Sequence, residues 1–345
     1  MLGSVLLTGG GGYIGRSISN NLLLDGYNVI IVDNFENSNE RDIDDLPNKE
    51  KLEIYKVDCC EYDELEKIFK SKEISIVIHL AGYKSVEESI RLPLKYYENN
   101  LVSIMNILNC IRRYKVKKMI FSSSATVYGK EESPLKEVSR VGVGITNPYG
   151  MSKYMGECII SDVARREKDI DFIILRYFNP VGSVENGKIS DNPKDIPRNL
   201  IPVLINNINN GERLKVFGKD YNTKDGTPAR DYIHIEDLAK GHIAAINLEL
   251  RDKNLEIFNL GRGESYTVME VISTFEKVNN INVDYEIVSK REGDLGNIYC
   301  DTTLAEERLG WKAEKGLTKM CDFRFLLRPL NIKDGIKENN NKNID

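Results

Sequence analysis

The sequence is poor in the residues that build metal centres and disulfide frameworks. Histidine occurs three times in 345 residues (His79, His234, His242) and tryptophan once. The six cysteines, Cys59, Cys60, Cys110, Cys158, Cys300 and Cys321, form no C-x-x-C pair, and no histidine stands at zinc-like spacing from them. No metal is expected, and thiols scattered through apolar or helical stretches imply free cysteines in a reducing cytoplasm. No apolar run nears the ~20 residues that span a bilayer, and the first strand-like segment leads straight into glycines, so neither a membrane segment nor a signal peptide is expected. Basic residues are not in excess: 48 Lys and Arg face 53 Asp and Glu, a net charge of −5. That argues against nucleic acid as the main partner, and any anionic ligand must be met by local positive charge.

What is present is the balance of a soluble globular chain, 41% hydrophobic and 29% charged, long enough for two domains or one domain with a large lobe. In the first half, short apolar, β-branched runs (5–8, 29–33, 53–58, 75–80, 118–123 and 172–177) alternate with helically spaced stretches at 14–24, 62–70, 101–113 and 149–166. Strands that are apolar throughout and alternate with helices predict a parallel sheet covered on both faces. This is an α/β, Rossmann-type doubly wound domain over residues 1–180. Residues 181–197 read as a long loop of the functional kind. A smaller C-terminal α/β substrate lobe is predicted over 181–330, with some segments returning to the first domain, and is expected against the carboxyl edge of the sheet. Its helices fall near 200–209, 237–248, 268–278 and 303–309, and its strands near 214–216, 257–260 and 283–287. The Asn- and Lys-rich tail, 331–345, is predicted to be disordered.

The segment Thr8-Gly-Gly-Gly-Gly-Tyr-Ile-Gly15 closes the first strand and opens the first helix. Glycines there let the backbone approach a pyrophosphate, and the helix start offers N–H donors and a positive dipole. Gly9, Gly12, Tyr13, Ile14 and Gly15 are thus candidate cofactor residues. Asp33 ends the second strand, eighteen residues past Gly15, where a carboxylate accepts the ribose 2′-hydroxyl of NAD and repels the 2′-phosphate of NADP. Asp58, at the end of the third strand, is placed to meet the adenine amine.

Tyr149 and Lys153 form a Tyr-x-x-x-Lys pair on one face of a helix that follows the fifth strand. A tyrosine holds its proton up to a pKa of ~10, and a neighbouring ammonium brings that value toward the range a general base needs. Ser122-Ser-Ser124 ends the fifth strand, at the edge where doubly wound sheets bind ligands, and the Ser124 hydroxyl could bridge Tyr149 and a substrate alcohol.

Together these residues resemble the extended short-chain dehydrogenase/reductase superfamily. Longer strings narrow the resemblance to its UDP-glucose 4-epimerase family: His79-Leu-Ala-Gly82 with Lys84, Ser122-Ser-Ser-Ala-Thr-Val-Tyr-Gly129, Arg176-Tyr-Phe-Asn-Pro-Val-Gly182, Asp225-Gly-Thr, Arg230-Asp-Tyr-Ile-His234 and Arg291-Glu-Gly-Asp294. The resemblance implies NAD contacts at Tyr13, Ile14, Asp33, Asn34, Asn37, Ser38, Asp58, Cys59, Leu80, Ala81, Gly82, Lys84, Asn99, Ser124, Tyr149, Lys153 and Phe178. It implies UDP-sugar contacts at Lys84, Ser124, Tyr149, Asn179, Asn199, Leu200, Val216, Phe217, Arg230, Arg291 and Asp294. Arg230 and Arg291 would supply the local positive charge that a diphosphate requires. After Cys321 the chain departs from the family's aromatic-rich ending, which puts its C-terminal helix in question.

The implied reaction is reversible C4 epimerisation of UDP-glucose and UDP-galactose. The C4 alcohol is oxidised transiently to a 4-keto sugar, which turns in its pocket and is reduced on the other face. The NAD is expected to stay bound, and a homodimer through helices 101–113 and 149–166 is implied. Ile298 falls where relatives restricted to glucose and galactose tend to carry Tyr, so side activity on UDP-N-acetylglucosamine and UDP-N-acetylgalactosamine is expected. A 4,6-dehydratase would need an acid/base pair after the catalytic Ser, and Ala125 and Thr126 stand there instead. A non-catalytic dinucleotide sensor would have no need of Tyr149.

Overall fold

The computed structural model describes residues 3–184, 187–192, 194, 197–291 and 294–327. The predicted tail 331–345 and parts of the 181–197 loop lie outside them.

The apolar runs become strands of one sheet. In chain order the first half is β1 (Ser4–Thr8), α1 (Tyr13–Leu24), β2 (Asn28–Asp33), β3 (Leu52–Lys56), α2 (Tyr62–Ser71), β4 (Ile74–His79), α3 (Val86–Arg91), α4 (Pro93–Arg113), β5 (Lys118–Ser124), α5 (Pro148–Arg166) and β6 (Asp171–Tyr177). The second half is β7 (Asn179–Val181), α6 (Leu200–Asn210), β8 (Leu214–Phe217), β9 (Ala229–His234), α7 (Ile235–Asn247), β10 (Leu255–Leu260), β11 (Ser265–Thr267), α8 (Val268–Asn279), β12 (Tyr285–Val288), β13 (Asn297–Ile298), α9 (Thr303–Leu309) and α10 (Leu317–Met320).

Seven strands lie in the order β10-β6-β5-β4-β1-β2-β3, every neighbouring pair parallel. Alternation along each strand splits the core. Val5, Leu7, Val29, Ile31, Ile120 and Ile173 pack with α1 and α7 on one face. Leu6, Ile30, Val32, Met119, Phe121, Phe172 and Ile174 pack with α2, α4 and α5 on the other. At about 25 cal/mol per Å² of buried apolar surface, these two layers are the main stabilising force. The smaller lobe has its own core around Leu204, Val216, Ile272 and Phe275, where Phe323 stacks on Phe275 at 5.9 Å.

Two expectations need correction. Strand β3 stops at Lys56, so Asp58 stands beyond the strand, where its carboxylate accepts the Cys60 N–H and turns the chain. The segment near 257–260, read as a strand of the smaller lobe, is β10 and pairs with β6 at the edge of the main sheet; α7, read beside it in the lobe, packs on the same sheet. In the C-terminal stretch, whose helix the sequence left in question, α10 spans Leu317–Met320, and Met320, Cys321 and Phe323 fill the lobe's core. Among the described residues no helix is long and apolar enough to cross a membrane, and no cluster of His, Cys, Asp or Glu could hold a metal ion.

Candidate active site

The turn between β1 and α1 is built for close approach. Gly9 takes φ +68°, a conformation that favours glycine, and a Cβ there would lie 2.8 Å from the Ala81 nitrogen. A Cβ on Gly15 would meet the Gly10 Cα at 2.5 Å. Gly12 differs: its Cβ would meet only the Gly9 carbonyl, at 3.3 Å, and would otherwise stand in open space above the helix start. No side chain caps α1 and its first turn holds no acidic residue. The leading N–H groups of the helix are therefore free to meet an anion.

A cleft of about 300 Å³ opens over this turn. It gathers most of the expected cofactor residues: Gly9, Gly12, Tyr13, Ile14 and Gly15 from the first turn; Asp33, Asn34, Asn37 and Ser38 after β2; Asp58 and Cys59 after β3; Leu80, Ala81, Gly82 and Lys84 after β4; and Asn99 from α4. Asn199 of the substrate set joins them. Asp33 accepts the N–H groups of Gly11 (2.9 Å) and Phe35 (2.8 Å) and the Ser38 hydroxyl (3.3 Å). Burial pushes its carboxyl up and these donors oppose the shift. Asn34 donates to Asp58 at 3.0 Å, joining the two acidic strand ends on the rim. A pyrophosphate at the uncapped helix and a ribose at Asp33 fit this cradle, the space above Gly12 being what a Cβ would fill.

The Tyr–Lys pair stands against the same strand edge. Asn147 caps α5 by accepting the Gly150 N–H, and Pro148 occupies its first position. Lys153 is buried and donates to the Ser122 carbonyl, a residue of the cleft wall, at 2.7 Å. Tyr149, half-buried, hydrogen-bonds Ser124, whose hydroxyl also receives that of Thr126 at 3.0 Å. The expectation that Lys153 holds the phenol below its ordinary value is not met. Burial pushes Tyr149 up, with the Ser124 hydrogen bond opposing, and burial also lowers Lys153 to about 8. Desolvation penalises phenolate and ammonium alike.

Of the substrate candidates, Lys84 and Asn199 line the cleft and the others lie outside it. Arg230 on β9 pairs with Asp294 at 2.8 Å and donates to the Leu295 carbonyl. Arg291 stacks its guanidinium 3.8 Å over the Phe217 ring. Ile298 on β13 sits beside Arg230 in the ladder and packs partly buried against Phe178, Val127 and Tyr128. Phe178 is buried and Asn179 exposed. Leu200 opens α6, whose cap residue Asn199 binds Asp191. The Val216 side chain is in the lobe core, so only its backbone faces outward chemistry. Lys84 pairs with Asp191 at 3.4 Å.

Several cleft residues were not anticipated, Arg16 and Arg198 among them. Arg16 is buried, contacts Asp42 and donates to the carbonyls of Lys188 and Ser190, tying the 187–190 segment over the glycine turn. A charged residue inside a helix start flanked by apolar positions was its signal in the sequence. Arg198 and its Ser85 partner also line the cleft, with no such signal. In the smaller lobe, the Tyr221 hydroxyl is buried without a hydrogen-bond partner among the described residues.

A glycine turn at the carboxyl edge of a doubly wound sheet, with a Tyr–Lys pair beside it, is the arrangement of a dinucleotide-dependent enzyme of the short-chain dehydrogenase type. A profile of the NAD dependent epimerase/dehydratase family matches residues 5–261, and the chain belongs to that family. It is 44% identical over 323 residues to the UDP-glucose 4-epimerase of Haemophilus influenzae, covering 92% of this chain and 95% of that protein. The UDP-glucose 4-epimerase of Bifidobacterium longum, solved in complex with NAD+ and UDP, superposes with a TM-score of 0.87 at 41% identity, covering 94% of this chain and 97% of that one. The UDP-Glc/GlcNAc 4-epimerase of Campylobacter jejuni superposes at 0.81 with 31% identity, covering 94% and 98%.

Proposed function

We propose that this chain is an NAD-dependent isomerase that interconverts UDP-glucose and UDP-galactose by inversion at C4. The observation that carries the reading is the joint placement of Tyr149, Ser124 and Lys153 against the edge of the dinucleotide cleft. NAD held at the glycine turn and Asp33 would supply a hydride acceptor and donor for C4, so that oxidation to the 4-keto sugar and its reduction on the opposite face leave no net redox change. Tyr149 takes the proton from O4, relayed by Ser124, and later returns it. Lys153 anchors Ser122 and supplies positive charge beside the phenol. Arg230 and Arg291 neutralise the diphosphate, leaving the hexose loosely held and free to turn. Gly9 to Gly15, Asp33 and Asp58 hold the dinucleotide, with Cys59, Leu80 to Gly82, Lys84, Asn99 and Phe178 completing its walls.

Dehydration is the competing reading within the family. It requires a carboxylate pair after Ser124, and Ala125 and Thr126 stand there, Thr126 spending its hydroxyl on Ser124. We place the first domain at 1–180 and the sugar-binding lobe at 181–330, with α7 and β10 returning to the first. The protein works in the cytoplasm, in keeping with six free cysteines, and as a homodimer. The outward faces of α4 and α5 support the dimer: Leu94, Met105 and Met155 are exposed there. A monomeric mass by light scattering would contradict it.

The test is direct. Purified protein with UDP-glucose and no added cofactor should give UDP-galactose, and denaturation should release NAD. Absence of both product and bound dinucleotide refutes the proposal.

A further inference from the structure

We propose that the buried trio Ser123, Glu157 and Arg176 is a positioning device that fixes helix α5, and so Tyr149 and Lys153, in rotation and axial register over the end of β5. The proposal rests on the acid/base reading of Tyr149 given above. Ser123 and Arg176 are direct neighbours in the parallel ladder of β5 and β6. Both continue the sheet face formed by Met119, Phe121, Phe172 and Ile174, which is apolar until this point. Glu157 reaches down to them from α5. Its Oε1 accepts from the Ser123 hydroxyl and from Arg176 Nε at 3.0 Å, and its Oε2 accepts from Arg176 Nη2 at 2.7 Å. The two charged side chains are 5% and 2% exposed. Arg176 Nη1 donates onward to the Tyr128 hydroxyl (3.0 Å) and the Glu137 carbonyl (3.1 Å), and Tyr128 donates to Asn259 at 2.6 Å.

Stability alone does not call for such a pair. Apolar residues of like volume often replace a buried ion pair without loss. What apolar contact does poorly is distinguish one register from the next, since a helix that slides one residue moves only about 1.5 Å. A two-point carboxylate–guanidinium bond is directional and holds its partners in one geometry. Glu157 lies four residues beyond Lys153 and eight beyond Tyr149, so the three share one face of α5. Successive turns of α5 thereby engage three successive serines: Tyr149 binds Ser124, Lys153 binds the Ser122 carbonyl, and Glu157 binds Ser123. Glu157 and its partners touch no reacting atom. They act by placing the residues that do.

The test is turnover of UDP-glucose across pH, with bound dinucleotide measured for each variant. In the double variant Glu157→Leu/Arg176→Met, KM and dinucleotide content should stay at wild-type values. Its kcat should fall about 100-fold, the scale of an ångström-sized misplacement. The acid limb of its kcat profile should move to higher pH, because Tyr149 loses the aligned support of Ser124 and Lys153. Ser123→Ala, which deletes one oxygen, should lose roughly tenfold in kcat at constant KM, the rate equivalent of one charge-assisted hydrogen bond. Arg176→Lys keeps the charge but not the fork and should fall between wild type and the double variant. Wild-type kcat and pH profile in Ser123→Ala, or in a folded double variant, overturn the proposal; where the double variant does not fold, Ser123→Ala decides alone. Tyr149→Phe runs alongside. If that variant keeps its turnover the underlying reading fails, whereas its loss together with fully active trio variants refutes the positioning role only.

Discussion

The ammonium of Lys153 is bonded to the carbonyl oxygen of Ser122 at 2.7 Å. This bond ties the catalytic helix to the one serine of β5 that also lines the dinucleotide cleft. Burial lowers Lys153 to about 8, so its ammonium stays mostly protonated at neutral pH.

Tyr149→Phe keeps the ring and removes only the proton carrier. Turnover should fall about 10³-fold, within the range for loss of a general acid/base, while bound dinucleotide is unchanged. Wild-type epimerisation by this variant would remove Tyr149 from the mechanism.

Two glycines of the first turn should respond differently to alanine. In Gly15→Ala the new Cβ meets backbone atoms of Gly9 and Gly10 at 2.7 Å or less, so the variant should lose several kcal/mol of stability. In Gly12→Ala it meets only the Gly9 carbonyl at 3.3 Å. That variant should melt near wild type yet purify with less NAD. Equal melting temperatures for the two, measured calorimetrically, would contradict the geometry.

All three histidines are buried and shifted down by desolvation, His79 to about 3 and His234 and His242 to about 4. Unfolded, each takes a proton near pH 6.5, so between pH 6.5 and 4 the unfolded chain binds more protons and stability falls as pH falls. Asp231 opposes this: burial raises it to about 6, so the folded state keeps a proton there that the unfolded chain releases. These four groups alone contribute an uptake of about two protons on unfolding at pH 5, a slope of roughly 3 kcal/mol per pH unit from them. Denaturant titrations at pH 7, 6 and 5 check it. A flat profile would contradict the burial of these rings.

Ile298 adjoins Arg230 in the β9–β13 ladder and lacks the ring of a tyrosine. Measurable activity on UDP-N-acetylglucosamine is expected beside the main UDP-glucose/UDP-galactose pair. Ile298→Tyr should remove the N-acetyl activity selectively, because a bulkier wall penalises only the larger substrate. If wild type shows none, or the variant loses both activities alike, Ile298 is not the gate.

Much of this was legible in the sequence. Strands β1, β2, β5 and β6 each centre on a continuous apolar stretch because both their faces are covered, and the glycine turn and Asp33 follow from the needs of a pyrophosphate and a ribose. Strand β9 was not read as a strand: its sequence, Ala-Arg-Asp-Tyr-Ile-His, carries charges that the fold buries or pairs, Asp231 by the Arg262 and Gly263 N–H groups and Arg230 by Asp294. Periodicity could not show that β10 crosses to the main sheet, since an apolar run does not name its neighbour. The direction of the Tyr149 shift was misread because spacing reports proximity, whereas desolvation depends on what covers the site.

The late return of β10 has a consequence for how the protein is made. The chain leaves the sheet at Tyr177 and comes back beside it only at Leu255. A nascent chain that has already emitted α5 still lacks Asn259, which anchors Tyr128, and leaves β6 as an open edge ready to pair with another molecule. Active-site completion thus waits on a segment translated long after the catalytic helix. A chain stopped before Leu255 would leave that edge of β6 without its neighbour.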